Sequence, residues 1–358
     1  MNRASASSAD ERLQLLENWL RRDLQFPLER IEPASVDASF RRYFRVWRGG
    51  ETFIAMDAPP EQVSIVPYVE VAGKLLRMGV TVPRIFARDD ARGFLLASDL
   101  GTRMYLDELA AHRDDTARVD GLYRDALVAL CTIQAKGTGD AAGLPPYDRA
   151  FFLREMNLMP EWFCAKHLRL SLSAAEEKEL ADSFDLLANA ALEQPQGFVH
   201  RDFHSRNLMV LTPGDHHGNP GILDFQDAVL GPVTYDPVSL LKDCYISWPR
   251  ERLRAWLSGY RRMAEAAGVP VGDSEERYVR WFDLIGAQRH LKVLGIFSRL
   301  FHRDGKAGYL RDLPRVLDYV VEVCSAYRRE EGELGGLGDF LERRVRPVLA
   351  TRNTEAMR

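Results

Sequence analysis

The chain has 358 residues, 46% of them hydrophobic and 28% charged, with a formal net charge of −4. That length holds one large domain or two lobes with cores of their own, and the composition is ordinary for a soluble globular protein. The charge gives no whole-chain reason to expect a nucleic-acid partner. Cys131, Cys164, Cys244 and Cys324 stand far apart and form no CxxC or Cys/His cluster. They read as reduced core residues of a cytoplasmic protein rather than zinc ligands. Met1 to Asp10 is polar and lacks the apolar core of a signal peptide, and no apolar stretch approaches a bilayer span.

In chain order, residues 1–7 read as a frayed leader, and Ser8-Ala9-Asp10-Glu11 is a capping-box pattern that opens a helix. Leu13, Leu16, Leu20 and Leu24 then recur at helical spacing beside Trp19. Residues 39–47 and 52–56 are rich in aromatic and β-branched side chains around Gly49-Gly50, the pattern of a β-hairpin. A helix is expected over about 66–78, closed by Gly79 and Pro83, followed by strands at 84–87 and 94–97. After Gly101 helical patterns dominate, at about 103–112, 117–136, 149–168 and 174–193, the last opening at a second capping box, Ser173 to Glu176. Short strands interrupt at 197–225, and helices return at about 237–246, 250–267, 274–303 and 311–329. The expected class is α+β, with a strand-rich lobe over residues 1–100 and a larger helical lobe over 101–358. Ligands favour the cleft between such lobes.

The interrupting segment carries the chemistry. His200-Arg201-Asp202-Phe203-His204-Ser205-Arg206-Asn207 follows the short strand Phe198-Val199, and Ile222-Leu223-Asp224-Phe225 comes next. Asp202 precedes Asn207 by five positions, and Asp224 follows Asn207 by seventeen. Transfer of the γ-phosphate of ATP needs a carboxylate to orient the acceptor hydroxyl, a role that suits Asp202. It also needs hard oxygen ligands for Mg2+, which Asn207 and Asp224 would supply. Arg201 either pairs with a carboxylate and holds the loop or lies on the surface; His200 packs and hydrogen-bonds.

With these residues the chain resembles the aminoglycoside phosphotransferase superfamily, small-molecule relatives of the protein kinases, from about residue 10 to 350. The resemblance implies a protein-kinase-like two-lobe fold and use of ATP with Mg2+. Gly231 to Pro237 is similar to the family's stretch after the metal-binding Asp, and Asp236 before Pro237 fits an N-cap with Pro at the first helical position, a structural residue that stabilises the catalytic loop rather than reacting. Only twelve positions separate Asp224 from Asp236, and Gln226 replaces the Gly of an Asp-Phe-Gly triplet. That leaves no room for a long regulated activation loop, so small molecules are the expected acceptors.

The small lobe departs from the family pattern. No GxGxxG is present; Asp37 to Arg45 stands in its place, with Ser39 able to cap phosphate oxygens. Met56 falls where a strand lysine is expected, so Arg41, Arg42 and Arg45 become candidates to neutralise the phosphates, against the alternative of an exposed basic strand face. Glu70, which would pair with that lysine, reads as surface. Ala97, Ser98 and Asp99 fit the hinge whose backbone would meet the adenine edge.

On the acceptor side the candidates are His204 and Arg206 in the loop, Glu155 and Trp162 on one helix, and Arg289 and Lys292 on another. Between Gly286 and Arg311 six Lys/Arg residues face one Asp, contrary to a pocket for a polycationic aminoglycoside. The Arg289/Lys292 stripe suits a carboxylate or phosphate; its ordinary alternative is a solvated helix face. Arg42-Tyr43-Phe44, Met56 to Pro60, Ser98 to Gly101, the loop itself and Gln288 to Gly295 together resemble the bacterial anomeric N-acetylmuramate/N-acetylglucosamine kinases. That resemblance implies phosphorylation of an amino sugar at its C1 hydroxyl in peptidoglycan recycling; separately, a monomer with no nucleic-acid or membrane partner is expected. The alternatives are another small-molecule kinase, such as one for choline or an aminoglycoside, or a catalytically weak nucleotide-binding regulator.

Overall fold

Gly49 and Gly50, both at positive φ (57° and 82°), turn the chain between two strands that alternate buried and half-exposed residues. Left-handed backbone is what a two-residue hairpin turn demands and what glycine adopts without penalty. The computed structural model describes residues 3–35, 40–141, 143–211 and 218–356. It falls into two units, Met1–Arg103 with Met209–Asp227, and Met104–Leu208 with Ala228–Arg358.

The first unit is built on five strands: β1 (Arg30–Ser35), β2 (Arg42–Arg48), β3 (Glu51–Asp57), β4 (Ile85–Asp89) and β5 (Phe94–Ser98). They lie in the order β1-β2-β3-β5-β4, and every neighbouring pair is antiparallel. Helix α1 (Arg3–Asn18) runs on into a π-helical turn, Trp19–Asp23, and buries Leu16, Trp19 and Leu20 against Phe44, Val46 and Phe94 of the sheet. The helix starts at Arg3, not at the Ser8 capping pattern, because Ala4 and Ala6 carry helix propensity back past it. Helix α2 (Val66–Met78) ends at Gly79, φ 86°, whose N–H returns to the Leu75 and Leu76 carbonyls. β1 had no legible pattern: it is an edge strand with Pro33 beside a register shift, where a missing N–H is tolerated.

The second unit is mainly helical: α3 (Tyr105–Ala111), α4 (Thr116–Asp140), α5 (Arg149–Met156), α6 (Ala174–Leu192), α7 (Tyr235–Leu241), α8 (Arg250–Ala266), α9 (Glu275–Asp304), α10 (Leu313–Tyr327), α11 (Gly332–Phe340) and α12 (Arg346–Ala356). Ser173 and Glu176 form the reciprocal capping box that opens α6. The single helix expected over 149–168 is two pieces: α5, then a π-helix, Met159–His167, with Pro160 in its first turn. β6 (Gln196–Val199) pairs antiparallel with β7 (Val229–Pro232) and delivers the chain to the loop that begins at His200. α9 is buried on almost every side between Leu284 and Gly295. Gly295 makes that possible, since a Cβ there would lie 2.4 Å from the Leu158 carbonyl carbon. Among the described residues no helix is long and apolar enough to cross a membrane.

Candidate active site

Two buried carboxylates of the second unit shape the loop after β6. The N–H groups of His200 and Arg201 donate to the two oxygens of Asp236, at 2.7 and 3.0 Å. Ser205 donates to Asp243 through its N–H (2.9 Å) and its hydroxyl (2.6 Å). Asp236 and Asp243 stand near the two ends of α7, so one short helix grips the loop at both ends. Asp236 holds the loop amides, in keeping with its expected structural role toward the loop, but not as an N-cap: Thr234 occupies that position and Asp236 lies inside the first turn. Burial pushes its carboxyl up to about 7, against the pull of those two N–H groups.

Arg201, at φ 77°, turns the backbone so that Asp202 follows the two anchored amides. Burial alone would raise the Asp202 carboxyl, but the charges of Lys292, His204, Arg201 and Arg289 outweigh it and hold the group below the usual range. Asp202 is therefore an ionised carboxylate at neutral pH. Asn207 donates from Nδ2 to the Asp202 carbonyl oxygen at 3.0 Å, which fixes which side of the amide presents Oδ1. His200 is fully buried and accepts the Asp202 N–H at Nδ1 (3.3 Å). Burial lowers the pKa of His204, against the pull of Asp243 and Asp202, and among the described residues its Nδ1 has no hydrogen-bond partner.

Beneath the loop lies a charged network. Glu155 accepts from Arg201, from Lys292 (2.9 Å) and, through its other oxygen, from the Tyr147 hydroxyl. Lys292 also donates to the Tyr235 hydroxyl at 3.2 Å. This settles Arg201 as a loop-holding residue. Glu155 and Lys292, both expected on the acceptor side, are 7% and 6% exposed and pair with one another. The solvated-face alternative fails, since Arg289 is 3% exposed. Its Nη1 points at Cys244 Sγ, 3.3 Å away. Trp162 is half-buried under the Lys166 ammonium, 3.4 Å from its ring centre. Arg206 is exposed and stacks over Tyr245 and Tyr309, at 4.6 and 5.4 Å. Tyr245 also faces His204 at 5.3 Å. Asp243, Tyr245 and Tyr309 had no signal in the sequence; they join the site only through the fold of the chain.

The first unit carries the remaining candidates. Asp224 adopts φ 60°, and its Oδ1 accepts from Gln226 Nε2 at 2.8 Å. The next residue, Phe225, packs on Tyr68 at 4.7 Å. Burial raises the Tyr68 hydroxyl pKa, with Asp224 adding to the effect and Arg41 opposing it, so both charges act on one side chain. Met56 is fully buried. Of the proposed phosphate cations, Arg42, with Arg12, grips the buried Asp57, and Arg45 grips Asp99 and the Gly101 carbonyl. In the hinge, Ala97 is buried in the sheet, and Ser98 Oγ accepts the Arg84 N–H at 2.9 Å. Glu70 is exposed. Ser39 lies outside the described residues. Among the described residues no group of three or more His, Cys, Asp or Glu is placed to hold a metal.

The sequence profile of the phosphotransferase enzyme family matches residues 30–277. The chain is 47% identical over 342 residues to the N-acetylmuramate/N-acetylglucosamine kinase of Pseudomonas aeruginosa, covering 92% of this chain and 97% of that one. A protein of the same name from Neisseria meningitidis is 41% identical over 318 residues, covering 87% and 91%. Among solved structures, the choline kinase LicA of Streptococcus pneumoniae superposes with a TM-score of 0.59 at 12% identity, over 86% of this chain and 98% of that one. The ADP-bound aminoglycoside phosphotransferase APH(2'')-Ib gives 0.56 at 15% identity, over 85% and 97%. At those identities the superpositions establish a shared protein-kinase-like α+β fold.

Proposed function

Since the chain belongs to the phosphotransferase enzyme family, we propose that it uses ATP and Mg2+ to phosphorylate the C1 hydroxyl of N-acetylmuramate and N-acetylglucosamine. The product would be a sugar 1-phosphate, reused in peptidoglycan recycling by a cytoplasmic, monomeric enzyme. The observation that supports phosphoryl transfer most directly is Asp202, an ionised carboxylate on a loop pinned by two buried carboxylates. The acceptor class is supported by the near full-length identity to the two kinases of that name.

In this reading Asp202 orients the C1 hydroxyl and takes its proton late in the transfer. An anomeric hydroxyl is more acidic than an ordinary alcohol, so a base of low pKa suffices and positioning supplies most of the rate. Mg2+, when bound with ATP, neutralises phosphate charge. The donors fit a hard cation: Asn207 offers Oδ1 because its nitrogen is engaged with the Asp202 carbonyl, and Asp224 offers a carboxylate. Arg41 would take part of the phosphate charge that a strand lysine takes elsewhere.

The test is ADP release, followed by a coupled assay, with N-acetylmuramate, N-acetylglucosamine, choline and kanamycin as acceptors. Release with the two amino sugars, and none with their C1 methyl glycosides, is expected. Turnover of a methyl glycoside at the rate of the free sugar would sink the C1 assignment.

A further inference from the structure

Four cationic or polar side chains act on Asp202: Lys292, His204, Arg201 and Arg289. Lys292 and Arg201 share one carboxylate, Glu155. Among the described residues Arg289 makes no ion pair of that kind; the carboxylate whose charge acts on it is Asp202 itself. The single hydrogen bond of Arg289 among the described residues is to the Sγ of Cys244, and a thiol is a weak acceptor for a guanidinium with five donors. A buried guanidinium whose only hydrogen-bond acceptor is a thiol has donors to spare, and a second anion beside it would meet them. Burial pushes the Cys244 thiol up to about 11, so it stays protonated and leaves the charge of Arg289 unquenched.

We propose that Arg289 is the receptor for a carboxylate on the acceptor and that Cys244 positions it without neutralising it. This rests on the amino-sugar kinase reading above. N-acetylmuramate carries a lactyl carboxylate and N-acetylglucosamine does not, so Arg289 sets the preference between them. A planar guanidinium matches a carboxylate through two parallel bonds, which an ammonium cannot do. Arg289 and Lys292, three positions apart on α9, thus divide the work: Lys292 holds the floor of the loop through Glu155, and Arg289 reads the acceptor.

The experiment compares kcat/KM for the two sugars, and for N-acetylmuramate with its carboxylate converted to the amide, in the wild type, Arg289→Gln, Cys244→Ser and Cys244→Asp. In the wild type the amide is expected to fall ~10- to 100-fold below the acid, the scale of a charge-assisted hydrogen-bond pair. Arg289→Gln should lower the muramate-to-glucosamine ratio by the same ~10- to 100-fold, mainly through KM, and should no longer distinguish acid from amide. Cys244→Ser should keep the wild-type ratio, whereas Cys244→Asp, which supplies a counter-ion, should reduce it like Arg289→Gln. An amide as good as the acid in the wild type overturns the proposal without relying on any variant folding. An equal fall for both sugars in Arg289→Gln also overturns it and assigns the residue to the transferring phosphoryl group. Absence of ADP release with either sugar in the wild type would instead remove the proposed function itself.

Discussion

Lys292 and Glu155 meet at 2.9 Å in the interior of the second unit, and Arg201 of the catalytic loop shares the same carboxylate oxygen. Removing one partner of a buried ion pair leaves a charge with nothing to replace its water. Glu155→Gln strands two cations, whereas Lys292→Met leaves Glu155 still paired with Arg201. The first should cost about 3–5 kcal/mol of stability and the second clearly less. Urea unfolding of both variants measures the difference; equal losses would mean that the two cations do not depend on Glu155 in common.

Asp202 and Asp224 should fail in different ways. Asp202→Asn keeps the shape of the loop but removes the group that orients and deprotonates the acceptor. A fall of ~10²- to 10⁴-fold in kcat is expected, with the dissociation constant of the Mg2+–nucleotide complex changed less than ~2-fold. Asp224→Ala should abolish the Mg2+-dependent part of nucleotide binding. Calorimetric titration of each variant with ADP, with and without Mg2+, separates the two outcomes.

The parts of the fold that were legible are those set by local chemistry. The glycine pair of the hairpin, Gly79 after α2 and the Ser173–Glu176 box each satisfy backbone groups within a few residues. The parts that were not legible depend on distant neighbours. α11 was not among the expected helices, since Gly335, Gly336 and Gly338 lower its propensity, yet Gly338 permits close approach to Cys324 of α10, where a Cβ would lie 3.0 Å from that side chain. The loop motif named Asp202 and Asn207 by spacing, but nothing local marked Asp243 or Tyr245 as their neighbours. Arg289 and Lys292 looked like a solvated face because spacing alone cannot tell a charge facing water from a charge facing a buried Glu155 or Cys244. The clue was present in Leu284 to Leu294, where these charges interrupt a segment apolar on all sides, the mark of a buried helix.

Two helical glycines give opposite expectations. A Cβ at Gly295 would fall 2.4–2.5 Å from the backbone and side chain of Leu158, so Gly295→Ala must push α9 away from the segment before the π-helix. Overpacking of that kind costs about 1–3 kcal/mol. At Gly259 in α8 nothing lies within 4 Å of the added carbon. Gly259→Ala should therefore gain roughly 0.5–1 kcal/mol from helix propensity and lost chain entropy. Thermal unfolding of the pair tests both signs at once, and a stabilised Gly295→Ala protein would contradict the close packing of α9.

Asp236 predicts how stability and rate vary with pH. An unfolded Asp titrates near ~3.9. In the folded chain burial pushes the Asp236 carboxyl up to about 7, only partly offset by the His200 and Arg201 N–H groups. Between those two values the folded state holds a proton that the unfolded state has released. Where the native state binds more protons, stability falls as pH rises, so the Asp236 contribution declines across this window and levels off above it. Asp236→Asn cannot titrate, and its unfolding free energy in urea should lack that decline when measured beside the wild type from pH 4.5 to 8. Parallel curves would show that the group is not raised. The same proton should appear in the kinetics. Once protonated, Asp236 has one full acceptor fewer for the two loop amides, so wild-type kcat should fall on the acid side of about 7. Asp236→Asn, short of that acceptor at every pH, should be slower throughout and show no limb there.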